Sequence, residues 1–159
     1  MIDLNMKVSV SIGDKKYDGT IREVLQISEA ELSDEFMNQP STYAYFAALA
    51  EFAVADVEHK KLQFSVMEAN LDSAKRIELK DATKVTEAVI RSAIIRDAKY
   101  QVLSEELIEA QRQLGILKAL VRALEQRKDM LIQLGSMKRQ EMMLSDFSID
   151  MKKVHQNNQ

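Results

Sequence analysis

Residues 100 to 139 contain no proline, and Leu103, Leu107, Ala110, Leu114, Leu117, Val121, Leu124 and Leu131 follow one another there in steps of mostly four and three. Lys128 is the charged member of that series. Apolar residues at this spacing line one face of an α-helix. At about 1.5 Å per residue such a helix is roughly 60 Å long, and it cannot bury its stripe alone, so the pattern demands partner helices. A second series with the same spacing, Phe46, Ala50, Ala53, Val57, Lys60, Phe64, Met67, Leu71 and Ala74, predicts a helix over residues 41 to 80. Its small residues allow close approach, which makes it the natural antiparallel partner of the first.

The flanking pattern is different. Val8, Val10 and Ile12 alternate with Lys7, Ser9 and Ser11, and Gly13-Asp14-Lys15-Lys16 and Asp18-Gly19 supply turn residues. This predicts a β-hairpin over residues 7 to 21, which must dock on something because a two-stranded ribbon is marginal by itself. Ser28 and Glu31 form a capping box for a short helix ending near Met37. Pro40 ends that helix by disfavouring the helical conformation of Gln39, and Ser41 caps the next one. Thr86 caps a short segment reaching Ile95, and Asp97 restarts a helix that runs to about Leu144.

The expected fold is mainly α: an elongated helical hairpin of two long helices with a short N-terminal helix and a small N-terminal β-hairpin, assembling as a helical oligomer. Residues 1–27 form the β-hairpin extension, residues 28–144 the helical domain, and residues 145–159 a flexible tail.

Composition supports this reading. The 159 residues include four glycines, one proline, no tryptophan and nine methionines, too few turn residues for an all-β fold. Cysteine is absent, which removes disulfides, thiolate zinc sites and a cysteine nucleophile. No signal-peptide pattern or membrane-length apolar run occurs, so a cytoplasmic protein with no membrane partner is expected. Charge is unevenly spread: residues 1 to 58 carry four Lys/Arg against eleven Asp/Glu, and residues 59 to 159 carry eighteen against fourteen, for a total of −3. Such asymmetry permits a polyanion-binding face or electrostatic contact between subunits.

Catalytic chemistry has little support. No glycine-rich phosphate loop is present, and Gly115 and Gly135 stand alone within helical stretches. His59 and His155 lack the partners of a metal site or a triad, and Glu105, Glu106 and Glu109 lack the histidine that helical di-metal sites pair with carboxylates. The expectation is a non-enzyme with no catalytic residue, metal or cofactor. Lys60, Lys61, Lys75, Arg76, Lys80, Lys84 and Arg91 collect toward the end of one helix and across the turn, and are the candidate DNA-binding residues. Lys118, Arg122, Arg127, Lys128, Lys138 and Arg139 form a second basic group. For both groups, composition alone favours an ordinary solvated helix surface. Phe46 is assigned to the core, whereas Tyr43 and Tyr45 leave one stacking platform open. Phe46, Val57, Phe64, Leu71, Leu103, Leu107, Leu114, Leu117, Val121, Leu124 and Leu131 are the packing residues.

The order of parts and several strings resemble the UvsY family of phage recombination mediators. The resemblance lies in residues 25 to 36 (LQISEAELSDEF), in residues 43 to 61 with their Tyr/Phe start and double lysine, and most in residues 86 to 134, with Asp97, Tyr100, Leu114-Gly115-Ile116-Leu117, Ala123, Arg127 and Ile132. It implies a ring-like homo-oligomer that binds single-stranded DNA and loads a RecA-like recombinase while single-strand-binding protein is displaced. The family's basic cluster after its first long helix corresponds to Lys75 and Arg76, with Lys60 and Lys61 upstream. The N-terminal hairpin and the missing tryptophan depart from the family pattern. A structural or scaffolding coiled-coil protein of a phage or bacterial assembly, with no DNA binding, remains the alternative.

Overall fold

The computed structural model of the chain describes residues 3, 5–80 and 85–157, with the backbone alone for 148–157. Two strands, β1 (Lys7–Ile12) and β2 (Lys15–Thr20), pair antiparallel with Lys7 opposite Thr20 and Ile12 opposite Lys15. The loop between them is Gly13-Asp14. Gly13 adopts φ +58°, and among the described residues no residue other than glycine has a positive φ. Positive φ at the first of two loop residues is the requirement of a type II′ hairpin turn, which matches the right-handed twist of the strands.

Alternation along β1 places Val8, Val10 and Ile12 on one buried face. That face needs cover, and it finds it on the helices. Val8, Val10 and Ile12 share one core with Val24 of α1 (Ile21–Leu25), with Phe46, Leu49, Ala50 and Ala53 of α2 (Leu32–Glu78), and with Leu117, Leu120 and Leu124 of α4 (Ala98–Asn157). The Tyr17 ring meets Phe46 edge-on at 4.9 Å, and the Ser11 N–H donates to Oε1 of Gln113 at 2.9 Å.

The two long helices run antiparallel along the seams read from the sequence. Phe36 lies against Gly135, where an added Cβ would come within 2.9 Å of its ring and the exposed ring would have to shift. Farther along, the Tyr43 hydroxyl donates to Glu125 at 3.2 Å, and the Phe64 and Tyr100 rings stand 4.9 Å apart. Leu117, Leu124 and Leu131 are fully enclosed, each contributing about 1.5–3 kcal/mol of burial. Ala50, Ala53, Val57 and Leu71 are buried too, while Phe64, Leu103, Leu107, Leu114 and Val121 are half-buried along the margins. A smaller cluster closes the turn end: Ile90 and Ile94 of α3 (Glu87–Ile95) pack on Leu71, flanked by Met67, Leu79 and Tyr100. The expected caps are in place there, Thr86 accepting from the Val89 N–H at 3.4 Å and Asp97 from the Lys99 N–H at 2.9 Å.

Three local expectations are corrected. The helix does not stop at Pro40; α2 passes through it without interruption. A proline removes one backbone donor, here the partner of the Phe36 carbonyl, at about 3 kcal/mol in an isolated helix, and in a 47-residue helix packed along α4 the flanking contacts outweigh that loss. Ser41 therefore caps nothing; its hydroxyl and that of Thr42 both donate to the Asn38 carbonyl, at 2.9 and 3.0 Å. The capping box sits not at Ser28 and Glu31 but at Thr20 and Glu23, at the start of α1, with Thr20 N–H to Glu23 at 2.7 Å and Glu23 N–H to Thr20 at 3.2 Å. Last, α4 continues past Leu144 to Asn157.

Because Leu124 lies at the point where the hairpin, α2 and α4 meet, Leu124→Ala should lower the unfolding free energy by about 2–5 kcal/mol in urea titration. Leu62→Ala, at an exposed site of α2, should change the same quantity by no more than about 0.5 kcal/mol when measured on dissociated subunits.

Candidate nucleic-acid interface

The basic residues singled out by sequence divide into paired and unpaired groups. Lys60, half-buried, donates to both oxygens of Asp56 at 3.0 and 3.1 Å and borders a shallow depression with Glu105, Glu106 and Glu109 of α4. Lys61 pairs with Glu58 at 2.8 Å. Lys75 donates to Glu78 at 2.8 Å, and this bond, helped by the charges of Glu78 and Asp97, raises its pKa above the usual lysine value.

Arg76 is the most heavily engaged of the set. Its guanidinium forms a two-pronged contact with Glu87 at 2.8 and 2.8 Å and a second with Asp72 at 2.8 and 3.2 Å. The planar fork of arginine suits such bidentate carboxylate binding. Both contacts push the Arg76 pKa further up, and Arg76 in turn holds the Glu87 carboxyl below the usual range. One side chain thus ties α2 to the first turn of α3. A phosphate approaching Arg76 has to displace a carboxylate.

Lys80 and Arg91 are exposed and have no side-chain hydrogen bond or ion pair among the described residues. The same holds for Arg96 and Lys99, which flank the α3–α4 junction. These four free cations all belong to the end of the molecule where α2 stops, α3 packs and α4 begins. Lys84 lies outside the described residues. Among the aromatics, Phe46 is core as expected, Tyr43 is held by Glu125, and Tyr45 is 48% exposed with its ring edge-on to Phe46 at 5.3 Å.

Arg127 is the residue that sequence reasoning misplaced. Read as part of a solvated basic group, its side chain is instead only 9% exposed and forms a knot at the far end of the hairpin. It donates to the Glu35 carboxylate, to Oε1 of Gln39 and, at 3.0 Å, to the Gln26 carbonyl. Gln39, buried, passes the bond on to the Leu124 carbonyl at 2.8 Å. The signal was available: 127 lies three residues after Leu124 and four before Leu131, so it occupies the seam position that exposed Lys128 cannot.

The remaining candidates are quiet. Glu109 accepts from Arg112 and Gln113, bonds that bring its pKa down to about 2. His59 is exposed beside Gln63 at 3.1 Å. Among the described residues no group of three or more His, Asp or Glu is arranged to hold a metal ion, and no helix is long and apolar enough to cross a membrane. No protein-family model, curated protein or solved structure matches the chain.

The Arg127 knot gives a stability prediction with a sign. The Ser28 N–H first, and then Arg127, hold the Glu35 carboxyl below its ordinary value of 4.5 against the opposing effect of burial. A depressed carboxylate stabilises the fold fully above pH 4.5 and ceases to do so as pH falls through its lower folded-state value. Unfolding free energy measured from pH 6 to pH 3 should therefore decline below about 4.5, and Glu35→Gln should flatten part of that decline. Arg127→Met, which leaves Glu35 without its cation, should cost about 3 kcal/mol at neutral pH.

Proposed function

We propose that the protein is a recombination mediator that binds single-stranded DNA as a homo-oligomer and promotes loading of a RecA-like recombinase in place of single-strand-binding protein. The observation that carries this reading is the set of exposed cations Lys80, Arg91, Arg96 and Lys99, unpaired among the described residues, at one end of a helical hairpin. Phosphate binding by lysine and arginine releases condensed counterions and needs no sequence-specific contact. Few cations per subunit suffice when subunits are repeated, because one strand then meets several sites at high effective concentration. The resemblance to the UvsY family supports the same reading and supplies its recombinase and its single-strand-binding protein as partners.

Within that proposal the unpaired cations contact DNA directly, and Lys75 and Arg76 hold the end in shape. This moves weight away from the pair that the resemblance suggests. Lys60 and Lys61 lie among carboxylates and stand lowest in the order. The double engagement of Arg76 is also the observation that favours a second reading, a scaffolding coiled-coil protein with no DNA affinity, since it removes charge from the place where the family concentrates it.

Fluorescence anisotropy with single-stranded oligonucleotides, read across a salt series, separates the two. Mediator function predicts a linear fall of log affinity with log salt concentration. Replacing Lys80, Arg91, Arg96 and Lys99 with alanine should then flatten the slope by about 0.7 for each phosphate that is no longer neutralised. Lys75→Ala with Arg76→Ala should flatten it less. Absence of binding by the wild-type protein at low salt leaves the scaffolding reading.

A further inference from the structure

The long helix α2 carries a second stripe that its own subunit covers only in part, with Lys15 Nζ standing 4.6 Å from the centre of the Phe52 ring. Positions 45, 48, 52, 55, 59, 62 and 66 repeat at the 3.5-residue average of a coiled-coil seam, on a different side of α2 from Phe46, Ala53 and Val57, and at its far end Leu62 and Val66 border a shallow depression with Leu103 and Glu106 of α4. All are exposed, and they include Tyr45, Phe52, Leu62 and Val66, which leave large apolar surface in water. Single exposed apolar residues are ordinary, but a stripe in register along several turns is an interaction surface. The residues flanking it are acidic: Glu51, together with Glu58 and Asp72, which also meet Lys61 and Arg76 of the same helix, and there is no lysine or arginine at the equivalent flanking positions between 44 and 72.

Those charges choose the partner. Two copies of this stripe facing each other would bring acidic flanks together, which disfavours an α2–α2 contact. The back of α4 is complementary. Lys118 and Arg122, one turn apart, are exposed and have no ion-pair partner among the described residues. Beside them Ala119 is exposed, and a Cβ added to Gly115 would meet nothing within 4 Å, so a neighbouring helix can approach closely. Exposed Ile108 and Met130 extend the same side in both directions.

We propose that the outward stripe of α2 docks on the outward face of α4 of a second copy of this chain, with the acidic flank of one subunit meeting Lys118 and Arg122 of the next. The two faces are different patches of one subunit, so the contact is head-to-tail and repeats from subunit to subunit, closing into a ring where the rotation between subunits permits. The inference rests on the homo-oligomer part of the function proposed above and assigns its interface.

Light scattering on the full chain tests it. Wild type should be an oligomer. Glu51→Lys with Glu58→Lys, and separately Lys118→Glu with Arg122→Glu, should each reduce the mass to that of one subunit at micromolar concentration, with helix content by circular dichroism unchanged. An equimolar mixture of the two variants should regain an oligomer, because each altered face then fits the other's. Gly115→Gln, at a position where an added Cβ meets nothing within 4 Å in its own subunit, should likewise lower the mass. A wild-type oligomer indifferent to both charge variants overturns this interface and leaves oligomerisation standing. Loss of mass from the α2 variant alone assigns an α2–α2 contact and also overturns it. A monomeric wild type overturns both the interface and the oligomer on which it depends.

Discussion

Everything in this molecule depends on burying one apolar stripe of α4. A helix from Ala98 to Asn157 has no tertiary fold of its own, and in water its stability comes from packing an amphipathic face rather than from propensity. α2 covers that face over most of its length, and the pairing of Tyr43 with Glu125 and of Phe64 with Tyr100 marks their antiparallel course. With the helices in place, every other element has a site to occupy. The hairpin closes over Phe46 and Leu117, and α3 folds over Leu71. The ion pairs come afterwards and set orientation more than they supply stability.

Much of this was legible in the sequence because periodicity reports burial directly. The strand alternation at Val8, Val10 and Ile12 and the seam from Leu103 to Leu131 each record which side of an element is dry. Local signals did worse where long-range packing overruled them. Pro40 is a helix breaker by its own chemistry, yet it sits between Gln39 and Phe46, both anchored against the core. Ser28 and Glu31 have the spacing of a capping box, but the Ser28 N–H goes to Glu35 instead. Arg127 was misread for the same reason: its charge suggested solvent, while its place on the seam required burial.

The candidate site was less legible than the fold. Sequence identifies cations but not their partners, and at this end of the molecule the partners decide which charges remain available. Arg76 is met by Asp72 from its own helix, at a predictable spacing, and by Glu87 from the next helix, at a spacing that only the fold reveals. Lys80, Arg91, Arg96 and Lys99 look no different from it as letters. What distinguishes them is that, among the described residues, no carboxylate is folded against them.

The connections of the N-terminal segment bear on how the chain reaches this state during synthesis. The Ser11 N–H bonds to a side chain 102 residues later in sequence, and Arg127 reaches back 101 residues to the Gln26 carbonyl. The hairpin is made well before α4 and is thus among the last elements to complete its native contacts, since the cover over Val8, Val10 and Ile12 is incomplete until α4 supplies Leu117, Leu120 and Leu124. A nascent apolar strand kept waiting is a hazard for aggregation. Lys7, Lys15 and Lys16, standing at the ends of the two strands, supply the charge that discourages edge-to-edge pairing in that interval. The lysines of the hairpin then serve the unfinished chain before they serve the finished one.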